Sequence, residues 1–296
     1  MLRICYRFAV CTSLLAGSLF GAHVASEYRD YTVRLSSWHP ASSEAAGVLV
    51  PVRINDGRVL RLLLDSGASG ITISSKTARG LGLEEFVSEG RIGGLGDGPV
   101  RTAQTAKAGR VTIGELALED CAIAVVPGTL TRDADGVIGM NVFEAFRIRL
   151  DVRAKELRLE AFTDNTPKPG THTYAVEHIL LVRARVNGGD EGFFLVDTGS
   201  AVTSLASDFR LPAASSGGTV SLVGVAGNVS GVRRLAPVSL EIGGRTMVDR
   251  EPVAMNLETI SQRNGVKVSG ILGYSVLSRA PVTFNYRDGL VELGSR

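Results

Sequence analysis

Two stretches of the chain repeat one another, and that repetition limits the possible folds more than any other feature. Residues 60–73 read LRLLLDSGASGITI and residues 192–205 read GFFLVDTGSAVTSL. In both, an apolar run enters Asp-(Ser/Thr)-Gly and a β-branched run leaves it. The two aspartates, Asp65 and Asp197, are 132 residues apart. Upstream, each copy has the pattern of a hairpin. Val48–Ile54, Asn55-Asp56-Gly57 and Arg58–Leu64 match Leu180–Val186, Asn187-Gly188-Gly189 and Phe193–Val196. Asn-Asp-Gly and Asn-Gly-Gly supply the positive-φ positions that tight turns need. Downstream, Val111–Gly114 matches Leu240–Gly243, and Gly136-Val-Ile-Gly139 matches Gly270-Ile-Leu-Gly273. A further hairpin closes each copy, Arg147–Leu159 and Val282–Leu293. One matched pair of short apolar strands could arise by chance, but this ordered set at near-constant offset marks a duplication.

The pattern predicts two β-rich lobes. The lobes span residues 46–162 and 177–296. Residues 163–176, with Pro167, Pro169 and Gly170, read as the linker. Residues 26–45 read as an N-terminal arm, in which Tyr28–Pro40 is either an extra strand or loose. Helix is expected only in short turns after Ser75, Gly139 and Gly273.

Residues 1–25 read as a secretory signal. Arg3 and Arg7 precede Phe8–Phe20, an apolar stretch too short for a membrane span, and Ala22 or Ala25 could precede cleavage. Without Arg3 and Arg7 the 32 basic residues become 30, equal to the 30 acidic ones. The bases are scattered, so charge gives no support to a nucleic-acid or anionic-membrane partner. Of the three cysteines, Cys5 and Cys11 would leave with the signal. Cys121, in the apolar run Cys121-Ala-Ile-Ala-Val-Val, reads as a buried core thiol. The expected product is an exported monomer, periplasmic or secreted, with no membrane span after signal removal.

Equivalent carboxylates at matched points of a duplication point to one shared site on a pseudo-twofold axis. Two carboxyl groups in hydrogen-bond reach cannot both ionise cheaply, so the pair holds one proton. The ionised partner can then take a proton from water while the protonated partner donates to a scissile carbonyl. Gly67 and Gly199 allow a sharp turn behind each carboxylate. Ser66 and Thr198 place a hydroxyl beside it, able to bond backbone across the lobe interface. Each aspartate ends an apolar run, where a buried carboxylate is costly without a purpose. His172 and His178, six residues apart in or beside the linker, read as solvated side chains and not as a metal pair. Gly94–Gly98 lacks the Lys-Ser/Thr and the helix of a phosphate loop. No metal and no cofactor is called for.

Asp65-Ser66-Gly67-Ala68 and Asp197-Thr198-Gly199-Ser200 resemble the active-site loops of aspartic peptidases of the retropepsin and pepsin type. Val137-Ile138-Gly139 and Ile271-Leu272-Gly273 resemble the second motif of that family, which supports the active-site loop. Ile138–Asn141 is similar to the retropepsin form. Arg91–Gly96 is similar to a retropepsin flap, with Gly94, Leu95 and Gly96 at its tip, and Ser221–Gly227 is its counterpart, with Gly224 and Val225 at the tip. Neither flap has the tyrosine of pepsins, and the lobes are short, so the chain looks like a fused pair of retropepsin units. The resemblance covers roughly residues 46–296. It implies an all-β fold of two homologous acid-protease-like β-barrel lobes with a substrate cleft between them, and an aspartic endopeptidase acting on an extended polypeptide, with Asp65 and Asp197 catalytic. The alternative is a catalytically silent peptide-binding or envelope-assembly protein on the same fold.

Two finer expectations follow. Leu95 and Val225 should ride on mobile flap tips. The Ser200 hydroxyl, which has Ala68 as its counterpart, should donate to Asp197 and make it the more acidic of the pair.

Overall fold

The computed structural model describes residues 5–7, 11–14, 23–39, 46–83, 86–128, 130, 133–163, 171–176, 179–209 and 220–294. It is mostly β-strand, and the two copies of the repeat are wired alike. In the first lobe Gly47–Ile54 and Val59–Asp65 form a hairpin that turns at Asn55, φ 49°. In the second, Ile179–Val186 and Glu191–Val196 form the same hairpin, with Asn187 at φ 50°. The sequence places Asn at both points because its short polar side chain tolerates the left-handed region.

Each aspartate-bearing strand then gains a parallel neighbour. Gly136–Gly139 lies parallel to Val59–Asp65 and antiparallel to Ile71–Ser74. Val268–Leu272 lies parallel to Glu191–Val196 and antiparallel to Ser204–Ala206. These central strands are covered on both faces, which explains why they read as continuous apolar runs and not as alternating ones. In the first lobe Arg101–Ile113 pairs with Phe86–Gly94 and Leu116–Val126, and also reaches the first hairpin through Val111 opposite Ile54, which curls the sheet towards closure.

A sheet shared by both lobes forms the floor. Its strands run in the order Thr171–Val176, Leu290–Leu293, Val282–Asn285, Arg147–Asp151, Glu156–Glu160, Tyr31–Arg34. Ile148 sits opposite Phe284, and the floor packs onto a core that includes the fully buried Phe143, Phe146, Phe194 and Phe284. This floor bears on two expectations. Part of the arm is structured, with Tyr31–Arg34 in the floor and Ser36–Trp38 paired to Gly47–Leu49. The second half of the expected linker, Thr171–Val176, is a strand, because its β-branched and aromatic residues lie beyond the last proline and find two neighbours to pair with. Residues 164–170 lie outside the described residues, as does His178.

Among the described residues helix is confined to Ser75–Gly80, Tyr274–Leu277, a 3-10 turn at Met140–Phe143, and Glu258–Asn264. The last was not anticipated; it ends on Gly265 at φ 61°. Cys121 is buried among apolar side chains, and burial pushes its thiol up to about 11. Within residues 1–25, Cys5–Arg7 lies parallel to Ser221–Val223, and Cys11–Leu14 lies antiparallel to Arg91–Gly94. No helix among the described residues is long and apolar enough to cross a membrane.

Candidate active site

Asp65 ends its strand and Asp197 follows directly on its own, both fully buried. The loops that carry them brace each other across the lobe boundary. The Ser66 hydroxyl donates to Val196 O (2.8 Å) and accepts from Thr198 N (3.0 Å). The Thr198 hydroxyl donates to Leu64 O (2.9 Å) and accepts from Ser66 N (3.0 Å). These four bonds form a two-fold symmetric clamp around the paired aspartates, and they satisfy Ser66 N, Thr198 N, Leu64 O and Val196 O, backbone groups at the two turns.

Within each loop a carboxylate oxygen is held by backbone. Asp65 Oδ1 accepts from Gly67 N (2.8 Å), and Asp197 Oδ1 accepts from Gly199 N (2.8 Å) and Ser200 N (3.1 Å). Gly67 has a second role. A Cβ on it would lie 2.8 Å from Asp197 Cγ, so the first loop approaches the carboxyl of the second too closely for any side chain. The two carboxyls share one buried space. Burial raises the Asp197 carboxyl from its ordinary 3.8 to about 6, against the lowering effect of a hydrogen bond with Asp65 and of the Gly199 and Ser200 N–H groups.

The expected Ser200 contact is absent. Its hydroxyl donates to Val202 O (2.8 Å) and only its backbone N–H reaches Asp197. The loop curls so that the side chain is used to cap a carbonyl two residues on, which offsets any benefit of pointing it at the carboxylate. The asymmetry argued from that hydroxyl therefore does not hold.

Behind the loops stand the second motifs. Gly139 N donates to Gly70 O (2.6 Å) and Gly70 N donates to Asn141 Oδ1 (2.8 Å). In the second lobe Asp197 N donates to Leu272 O (3.0 Å), Gly273 N to Thr203 Oγ1 (3.2 Å), and Thr203 N to Ser275 Oγ (3.1 Å). Ser275 in turn donates to the buried carboxylate of Asp249 (2.6 Å). Neither Ser275 nor Asp249 was singled out from the sequence. Ser275 could have been, since it stands two residues after Gly273 as Asn141 stands two after Gly139. Asp249 carries no local signal.

The flaps meet tip to tip. Ala226 N donates to Leu95 O (3.0 Å), Gly98 N to Ala226 O (2.7 Å) and Asp97 N to Asn228 O (2.8 Å). The Asp97 carboxylate accepts from Ser230 N (2.8 Å), so this residue also joins the two flaps. Gly224 has no room for a Cβ because Leu95 O lies against it. Leu95 is buried in an apolar cluster with Val202 and Leu222, and Val225 packs on that cluster. The tips are thus packed, not exposed, in this closed arrangement; two apolar tips bury each other across the lobe boundary. Gly94 and Gly96 flank Leu95, as expected, at the turn of the first flap.

Comparison with known proteins bears on the first lobe and on the fold. Residues 50–142, which include Asp65, the first flap and Val137–Gly139, match the aspartyl protease family model. No curated protein matches the chain. Among solved structures, the aspartic proteinase from Irpex lacteus is similar, with a TM-score of 0.56 and 13% identity, over 90% of this chain and 97% of that one. At that identity the likeness is one of fold.

Proposed function

We propose that this chain, which resembles the pepsin- and retropepsin-type aspartic peptidases in its first lobe and in its fold, is an aspartic endopeptidase with Asp65 and Asp197 as its catalytic dyad. The observation that carries the reading is the clamp: two buried carboxyls on loops locked by the reciprocal Ser66 and Thr198 bonds, with Gly67 against the carboxyl of Asp197. Fixing two acids in one buried space makes the first proton easy to lose and the second hard. One carboxylate then draws a proton from water as the water attacks the peptide carbonyl carbon. The other carboxyl donates its proton to the carbonyl oxygen, and collapse of the tetrahedral intermediate expels the amine. No covalent bond to the enzyme forms. The rigid backbone clamp supplies the orientation that such a step needs.

The substrate class follows from the flaps. Extended segments run along the leading strand of each flap, one antiparallel and one parallel, as an extended peptide would by adding a strand. Export of the mature protein, with cleavage of residues 1–25, belongs to the same proposal and rests on the Arg3, Arg7 and Phe8–Phe20 pattern.

The test is digestion of an unstructured polypeptide library by the purified protein. We expect discrete internal cuts that persist in EDTA and vanish in Asp65→Asn. Cutting that EDTA abolishes, or that survives in Asp65→Asn, contradicts the dyad.

A further inference from the structure

The leading strand of the first flap, Phe86–Gly94, has two edges. Arg101–Gln104 pairs along one of them, and Cys11–Leu14 lies along the other in antiparallel register, with Thr12 opposite Gly93. Residues directly opposite in an antiparallel pair present their side chains on the same face. Gly93 has no side chain there, and something else fills the space. A Cβ on Gly93 would lie 2.7 Å from Arg263 Cζ and 2.9 Å from its Nη2. The guanidinium comes from the helix Glu258–Asn264 of the second lobe, crosses the lobe boundary, and donates from Nη1 to Gly94 O at 3.5 Å. That bond is long, and Arg263 is only partly buried. Among the described residues no carboxylate pairs with it, although the other arginines near carboxylates, such as Arg147 with Glu160 and Glu292, are paired. A guanidinium presents five donors in a planar fork, and one long bond to a carbonyl leaves most of them unused.

We propose that Arg263 is a specificity-determining residue that selects an acidic side chain in the bound peptide, at the position lying opposite Gly93. Such a peptide, added to the edge now taken by Cys11–Leu14, presents that side chain on the face where the guanidinium waits. Asp or Glu there can accept a bidentate pair, and Lys or Arg meets a like charge in a partly desolvated site. Gly93 is part of the device, since any side chain on it would push the guanidinium away. The inference rests on the peptide-cleft reading above but not on catalysis.

The experiment has a cleavage arm and a binding arm, each with the full chain. In the first, a positional peptide library is digested by wild type, Arg263→Gln and Arg263→Glu. Wild type should favour Glu over Gln at one position by about tenfold in kcat/KM, the scale of a hydrogen bond to a charged group. Arg263→Gln should erase that preference, Arg263→Glu should turn it towards Lys, and the wild-type preference should shrink with added salt. In the second arm, the Glu, Gln and Lys forms of one peptide are bound to Asp65→Asn and to Asp65→Asn combined with Arg263→Glu, followed by fluorescence polarisation. The same reversal is expected there, in Kd. Unchanged melting temperatures separate a lost subsite from a lost fold. If selectivity at every position is the same in all three Arg263 forms, the inference is overturned even while cleavage proceeds. If nothing is cut but the binding arm reverses, the peptidase reading fails and the subsite stands.

Discussion

The two lobes hold equivalent loops in place by different means. In the first, one carboxamide suffices: Asn141 accepts from Gly70 N and needs nothing further behind it to do so. In the second, the matching hydroxyl of Ser275 accepts from Thr203 N and passes its own proton on to Asp249, whose carboxylate is buried. The backbone path is shared, whereas the side-chain solution has diverged. A short hydroxyl can both accept and donate, so using it obliges the second lobe to provide an acceptor, and here that acceptor is the buried Asp249 carboxyl. The second lobe's loop therefore depends on a second side chain behind the first, whereas the Asn141 contact does not.

That difference can be broken by mutation, and the largest effect is expected there. Ser275→Ala removes a donor from a buried carboxylate and should cost about 2–3 kcal/mol in denaturant unfolding. Combined with Asp249→Ala it should be non-additive by about 1–3 kcal/mol, whereas Asn141→Ala, in the other lobe, should add to either one. Additive losses for Ser275 and Asp249 would mean that the two do not act as a unit. Where the lobes agree, the expectation is symmetry. Ser66→Ala and Thr198→Ala each delete one donor and one acceptor of the clamp, and each should cost about 1–3 kcal/mol; a near-neutral result for one alone would show that the clamp is not reciprocal.

A smaller effect concerns pH. Burial raises the Asp197 carboxyl to about 6, above its unfolded value. The folded state thus binds that proton more tightly than the unfolded state. The stability it contributes is full below about pH 4 and is lost as pH rises through about 6. Asp197→Asn, which cannot ionise, should then raise Tm at pH 7 by roughly 2–4 °C and bring no gain near pH 4. The smallest effect is assigned to Ser200→Ala. Its hydroxyl caps Val202 O, so the cost should be about 1 kcal/mol, and the acid limb of the kcat/KM profile should stay where it is. A shifted limb would restore a direct contact with Asp197.

Much of this architecture is legible in the sequence because it is written twice. The paired hairpins at Asn55 and Asn187, and the Gly136–Gly139 and Gly270–Gly273 motifs, could be read by comparing one half with the other. What could not be read falls where the halves differ or where partners are distant. Thr171–Val176 becomes a strand only because Leu290 and Val291 pair with it. The direction of the Ser200 hydroxyl depends on a loop curl that no residue type announces. Asp249 and Arg263 act through groups 26 and 169 residues away in the chain. The bond from Ser230 N to Asp97 likewise spans 133 residues of chain.

The central claim is that two aspartates from two lobes make one site, and a double-mutant comparison tests it most directly. kcat/KM would be measured on one cleaved peptide for wild type, Asp65→Asn, Asp197→Asn and the double variant. Groups that act as a unit are non-additive, so each single change should lower kcat/KM by about a thousandfold or more, and the double variant should be no worse than the poorer single. Near wild-type turnover in either single variant, or losses that multiply in the double, would contradict a shared dyad.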